Sequence, residues 1–219
     1  QWTIRYMHAT RQTPQALALF DFDGTLCRQD SFTGFIFYAL NKRHILRRGV
    51  KILPQIQAYY RKRYPANQMR ATLFYHMFKD QDAQHIQAIA RDYAQTLIPK
   101  LDSQMLIRLK QHQQQGDDVA LVSASLDVYL RPLCEYFHVD LICTQTQIQD
   151  GRFTGHYHSP DCSSLQKSLR VAARYDLNHY SHIYAYGNSE EDEALLNLAT
   201  HPFMLGRDLT LPKLYVQSA

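Results

Sequence analysis

The sequence predicts an α/β protein: a doubly wound parallel sheet of Rossmann-like type, with a helical cap inserted after the first strand. Three continuously apolar runs, Ala16–Phe20, Val119–Val122 and Ile183–Tyr186, each stop at a cluster of small polar or acidic residues. Buried strands of a parallel sheet read this way when their carboxyl ends open into loops along one edge. Segments with helical spacing alternate with these runs, the doubly wound pattern. The stretch from Asp30 to Lys100, between the first and second runs, contains no strand-like run of its own. An all-helical insert at that point would hang over the carboxyl edge of the sheet.

Length and charge agree with this division. A chain of 219 residues, 45% of them hydrophobic, can bury one good core and carry a modest second lobe. The expected core comprises residues 15–29 and 101–219, and the expected cap residues 30–100. The net charge of +4 arises from 24 basic and 20 acidic residues, an excess that suits an anionic substrate and does not require nucleic acid. Cys27, Cys134, Cys143 and Cys162 fall at scattered spacings without a Cys-x-x-Cys pair, which argues against a zinc site or a disulfide framework. Gln1 to Gln15 contain Arg5, His8 and Arg11 but no apolar stretch like that of a signal peptide, and no run of about eighteen apolar residues appears later. A soluble cytoplasmic protein is therefore expected. Because the chain begins at Gln1 rather than methionine, no functional weight rests on this first segment.

The elements follow in order. Ala16–Phe20 is a buried strand opening into Asp21-Phe22-Asp23-Gly24. Within the insert, helices are expected over Ser31–Leu40, around Gln55–Arg61, over Asn67–Phe78 and over Asp82–Leu97. A helix over Leu101–Gln115 leads to the second strand, which ends at Ser123-Ala124-Ser125, and a helix over Val128–Phe137 follows. Between Leu141 and Tyr157 two polar–apolar alternations flank Gln149-Asp150-Gly151, predicting a small antiparallel excursion around a hairpin turn. A helix over Leu165–Tyr175 then precedes the third strand, which ends at Gly187-Asn188-Ser189.

The loop residues carry chemistry. Attack on a phosphate ester requires a positioned nucleophile, positive charge and a proton donor. Asp21 and Asp23, two residues apart on a tight turn, can divide this work, one carboxylate attacking and the other moving protons, while Gly24 lets the backbone approach the phosphoryl group. An isolated Asp-Gly would be an ordinary turn with Thr25 capping a helix. Here the whole string Asp21-Phe22-Asp23-Gly24-Thr25-Leu26 follows directly on an apolar strand.

That string resembles the first motif of the haloacid-dehalogenase-like hydrolase superfamily. The resemblance implies that Asp21 is the nucleophile and a metal ligand, that Asp23 is the general acid and base, and that the Asp23 carbonyl is a further ligand. Ser123 matches the second motif, whose hydroxyl holds a phosphoryl oxygen, with Gly24, Thr25 and Ala124 beside it as phosphate-binding positions. Lys167 matches the third motif, whose lysine neutralises nucleophile and phosphate; without the motif order Arg170 and Arg174 would be equally eligible. The lead-in from Cys162 to Lys167 is similar to that of subfamily IB, the branch holding phosphoserine phosphatase and bacterial phosphatidylglycerophosphatase C. Gly187-Asn188-Ser189-Glu190-Glu191-Asp192 has the spacing of the fourth motif, with Asn188 where an aspartate is usual. Asn188 and Asp192 would complete a magnesium site, the asparagine through its neutral carbonyl oxygen. The same run reads equally as a capped acidic helix start.

The resemblance implies a magnesium-dependent phosphomonoester phosphatase working through an aspartyl-phosphate on a small phosphorylated metabolite. In this superfamily the cap chooses the substrate. Asp30, nine residues after Asp21, either contacts substrate or caps the helix beginning near Ser31. The insert is basic and aromatic, with Lys42, Arg43, Arg47, Arg48 and Lys51 followed by Tyr59, Tyr60, Arg61, Lys62, Arg63 and Tyr64. This is either a solvated face or a contact for anionic lipid headgroups, which keeps a lipid-phosphate phosphatase as the alternative substrate reading. Dehalogenases proper typically lack the second aspartate of the first motif, so Asp23 argues against them. A catalytically weak phosphate-binding protein is supported only by Asn188, and a nucleic-acid module by no motif.

Overall fold

The computed structural model describes residues 16–215, so the basic segment around Arg5, His8 and Arg11 lies outside the described residues. The elements run β1 (Ala16–Phe20), α1 (Ser31–Ala39), α2 (Lys42–Gly49), α3 (Leu53–Tyr60), α4 (Ala66–Phe78), α5 (Ala83–Leu97) and α6 (Ser103–Gln115). They continue with β2 (Asp118–Leu126), α7 (Asp127–Phe137), β3 (Asp140–Thr144), β4 (Thr146–Gln149), β5 (Arg152–Tyr157), α8 (Leu165–Arg174), β6 (His182–Gly187), α9 (Glu193–Leu196) and β7 (His201–Met204).

The main sheet has the order β3-β2-β1-β6-β7 with every pairing parallel, the doubly wound architecture expected from the sequence. β1 shows why its sequence is apolar throughout. Ala16, Ala18 and Phe20 face one core with Met105 and Leu109 of α6 and Tyr129 of α7, whereas Leu17 and Leu19 face a second with Val171 of α8 and Leu195 of α9. A strand covered on both faces gains from apolar side chains at every position. With β1 between β2 and β6, the carboxyl ends of all three strands emerge side by side.

Helices α1 to α5 fill the chain between β1 and α6. Asp30, Asn41 and Asp82 cap α1, α2 and α5 by accepting from the backbone N–H of Thr33, His44 and His85. Phe35 centres this layer, stacked on Phe78 at 5.4 Å and tilted against Tyr93 and Tyr129 at 5.3 and 5.0 Å.

Several elements depart from the sequence expectation. The segment beginning at Leu141 is not antiparallel throughout: Asp140–Thr144 is β3, a parallel edge strand of the main sheet. Only β4 and β5 form a hairpin, with Asp150 and Gly151 at φ 50° and 73°, as a tight two-residue turn demands. Though the hairpin follows β3 in sequence, it packs on α4. Phe153 lies edge-on to Phe74 at 6.0 Å, and Asp80 N–H donates to its carbonyl at 2.9 Å. Helix α2 escapes apolar periodicity because it buries no residue, and β7 because it is a four-residue edge strand containing Pro202.

Candidate active site

Three loops at the carboxyl edge bring the acidic, hydroxyl and amide residues together. β1 ends directly at Asp21, which is 5% exposed. Its Oδ2 accepts from the Thr25 hydroxyl at 2.9 Å and its Oδ1 from Lys167 Nζ at 2.5 Å. The Thr25 hydroxyl is thus committed to holding Asp21, and Thr25 is 1% exposed. Lys167, in the first turn of α8, also donates to Asp192 Oδ1 at 2.5 Å. Burial lowers the affinity of the lysine for its proton, but the two carboxylates outweigh it and hold the amine above its ordinary range. Burial, reinforced by Asp192 and Asp23, pushes the Asp21 carboxyl up to about 7 against the pull of Lys167. Burial sets that direction, and the negative charge of Asp192 across the shared lysine adds to it.

Asp23 sits in a different surrounding. Ser31 N–H donates to its Oδ1 at 2.6 Å and the Ser125 hydroxyl to its Oδ2 at 2.5 Å. Burial raises its pKa, opposed by the hydrogen bonds from Ser125 and Ser31. Ser31 is itself held by Tyr129, whose hydroxyl is 2.9 Å from Ser31 Oγ, and by Tyr93, which donates to its carbonyl at 2.8 Å. Ser125, Ser31 and the two tyrosines escape sequence reasoning. Ser125 is visible in the polar end of β2, but only folding shows that α1 meets it. Ser123 is buried beside them and accepts from Ser125 N–H at 3.0 Å, where a register irregularity between Ser123 and Leu126 reshapes the strand end.

The third loop, after β6, is built on Asp192. Its Oδ2 accepts from the backbone N–H of Asn188 and Ser189 at 2.9 and 3.1 Å, and Ser189 and Asp192 form a reciprocal capping box. The capped-turn reading of this run is therefore present together with the placement at the site. A Cβ on Gly187 would come within 2.6 Å of Asp192 Cβ, so the loop closes only over glycine. Asp192 spends its oxygens on Lys167 and on this loop. Asp30 is exposed and caps α1, accepting from Thr33 N–H at 3.0 Å and its hydroxyl at 2.7 Å, and it also lines the cavity above Asp21, so both of its sequence alternatives stay open.

Asn188 decides what the site can hold. With its nitrogen turned inward, the side chain donates toward Asp21 Oδ2 at 3.3 Å, Thr25 Oγ1 at 3.3 Å and the Asp23 carbonyl at 3.2 Å. With its oxygen inward, oxygens of Asp21, Asp23 and Asn188 face one another, and the single hydroxyl hydrogen of Thr25, 2.9 Å from Asp21 Oδ2 and 3.3 Å from Asn188 Oδ1, cannot satisfy them all. A hard divalent cation satisfies such a set of carboxylate, carbonyl and amide oxygens. Among the described residues no cluster of three or more His, Cys, Asp or Glu side chains forms a metal site. The set here differs in relying on a backbone carbonyl and an amide, and it fits magnesium.

Above these residues a cavity of about 560 Å³ extends into α1 to α4, lined by Asp21, Asp23, Ser123, Ala124, Lys167 and Asn188 at its floor. Arg70 of α4 crosses its wall, bonding Asp161 at 2.8 and 2.9 Å and Glu191 at 2.9 and 3.1 Å. This second set of residues, tying the inserted helices to the loops beneath, has no signature in the sequence.

The model of the haloacid dehalogenase-like hydrolase family matches residues 18–197. The chain belongs to that family. As a haloacid dehalogenase-like hydrolase, it is similar to the histidinol-phosphatase of Neisseria meningitidis serogroup C, 26% identical over 212 residues, covering 90% of this chain and 93% of the relative. Among solved structures, a protein of unknown function from Bordetella pertussis Tohama I superposes with a TM-score of 0.69 at 25% identity, covering 87% of this hydrolase and 89% of that chain. A substrate-bound phosphoserine phosphatase shares the fold at a TM-score of 0.59 and 16% identity, covering 86% and 84% of the two chains.

Proposed function

We propose that this hydrolase is a magnesium-dependent phosphomonoester phosphatase with Asp21 as the nucleophile, the core 15–29 and 101–219 carrying the chemistry and the cap 30–100 the specificity. The observation that carries the reading is the contrast between the two aspartates. Asp21 is paired with a buried lysine, whereas Asp23 is surrounded by hydroxyl and amide donors and raised in pKa by burial. One carboxylate is placed to attack and the other to carry a proton.

In the first step an Asp21 carboxylate oxygen bonds to phosphorus as the ester P–O bond breaks, and the leaving oxygen takes the proton of Asp23. In the second, Asp23 takes a proton from water, the water oxygen bonds to phosphorus, and the bond from Asp21 to phosphorus breaks. The sum is one ester and one water giving one alcohol and one phosphate. Lys167 and Ser123 hold the phosphoryl oxygens, with Gly24 and Ala124 forming the floor beneath them. Asp21, the Asp23 carbonyl and Asn188, with Asp192 behind them, would hold magnesium, which when bound would supply positive charge to the phosphoryl group. The relative that is a histidinol-phosphatase supports the reaction class.

Hydrolysis of an aryl phosphate with and without magnesium tests the reading, together with acid-quench trapping of phosphate on the protein. Magnesium-dependent turnover that disappears in Asp21→Asn is expected. Full activity of Asp21→Asn would overturn the assignment of the nucleophile.

A further inference from the structure

The cavity above Asp21 changes character with distance from the catalytic floor. Its upper wall is formed by Ile36 of α1, Ile45 of α2, Ile56 of α3 and Met69, Leu73 and Met77 of α4. Phe37 and Tyr60 also line it and are 64% and 80% exposed, so the apolar path continues to the outer surface of the helices.

Among the charged side chains of the lining, Arg70 and Lys167 are paired with carboxylates, whereas Asp30 at the start of α1 meets only the neutral groups of Thr33. Asp30 is bonded to Thr33, Arg70 to Asp161 and Glu191, and Lys167 to Asp21 and Asp192. An ammonium close to Asp30 gains an ion partner, but a charged group carried up among Ile36, Ile45, Ile56 and Leu73 loses water and gains none. An apolar leaving group loses nothing there and gains burial.

Resting on the phosphatase reading above, we infer that the substrate is a phosphate monoester of an apolar alcohol, whose hydrocarbon portion lies along α1 to α4 while its phosphate rests on Asp21. Small amino-acid or amino-alcohol phosphates leave the upper cavity unfilled. A free alkyl phosphate and a single-chain lipid phosphate present the same chemistry to the cavity. Burial energy gathered along the chain then serves the reaction at phosphorus.

The test is kcat/KM along a series of n-alkyl phosphates from methyl to dodecyl, kept below their aggregation concentrations, beside phosphoserine, histidinol phosphate and an aryl phosphate. Each added methylene should raise kcat/KM about threefold to fourfold until the cavity is full. The longest chains should exceed phosphoserine and histidinol phosphate by at least about a hundredfold, as several such steps multiply. Leu73→Gln should reduce the dodecyl to butyl ratio about tenfold by placing an amide against the chain. Lysophosphatidate in phosphatidylcholine vesicles forms the second arm: turnover there above that of monomeric alkyl phosphates assigns the lipid source, and the reverse assigns the free ester. A flat chain-length series, or preference for phosphoserine or histidinol phosphate, would overturn the inference and leave the phosphatase reading intact. Absence of hydrolysis of every ester, the aryl phosphate included, would overturn the phosphatase reading itself.

Discussion

A Cβ on Gly24 would lie 2.1 Å from the side-chain nitrogen of Asn188. Gly24 also has φ +83°, in the left-handed region, so two independent constraints require glycine there. Gly24→Ala is expected to cost about 1–3 kcal/mol and to displace Asn188 from Asp21. Thermal unfolding should show Tm lowered by about 2 to 4 °C per kcal/mol. The magnesium concentration for half-maximal activity should rise at the same time.

Asn188→Asp should separate the magnesium-free from the magnesium-bound protein. The inward-facing atom of Asn188 lies 3.3 Å from Asp21 Oδ2, so a carboxylate there brings two negative oxygens together unless a cation lies between them. The variant is expected to melt lower than wild type in EDTA and to gain more from saturating magnesium, with half-maximal activity reached at a lower concentration. Differential scanning fluorimetry with and without metal reads the first effect and initial rates the second. An unchanged melting temperature in EDTA would mean that position 188 does not face Asp21.

Lys167→Met leaves Asp21 and Asp192 buried without their common cation. Breaking a buried pair in this way typically costs about 3–5 kcal/mol. Chemical denaturation should show that loss, and turnover should fall by at least about a hundredfold, in line with the removal of one electrostatic contact to a developing charge. Lys167→Arg is not expected to rescue either, because a planar guanidinium cannot replace a point charge held between two oxygens.

Ser125→Ala removes a 2.5 Å donor from Asp23 without touching Asp21. If Asp23 delivers a proton to the leaving oxygen, both Ser125→Ala and Asp23→Asn should slow alkyl phosphates more than aryl phosphates, whose leaving groups need little protonation. A ratio of alkyl to aryl rates about tenfold below wild type is expected for Ser125→Ala, about the value of a lost hydrogen bond to a charged group. Equal slowing of both esters would assign Ser125 to structure alone.

Arg70→Met keeps the stem that packs on the cavity wall and removes the guanidinium joining α4 to Asp161 and Glu191. Asp161, whose side chain is 8% exposed, loses its partner. KM is expected to rise about tenfold with kcat changed much less, since the helices that hold the leaving group are no longer anchored, while the residues beneath are untouched. Steady-state kinetics on the best substrate separates the two constants.

The sequence alone determined the parallel sheet and the loop residues at its edge. β1, β2 and β6 are covered on both faces, and double burial writes a continuous apolar run that ends where the backbone turns to the site. Asp21, Asp23, Ser123 and Asn188 were legible because each follows such a run directly, and Lys167 and Asp192 because the resemblance supplied their order. β3 and β7 were not, since strands at the sheet edges leave shorter patterns. Only the tertiary structure placed Ser31 and Ser125 on the two oxygens of Asp23, turned Asp30 to Thr33, and joined Arg70 to Asp161 and Glu191. Those contacts link residues far apart in sequence through side chains that are common on any surface, so no local pattern announces them. The cavity belongs to the same category: nothing local marks Ile36, Ile45, Ile56 and Leu73 as neighbours, and only the packing of four helices leaves a space between them that opens onto Asp21.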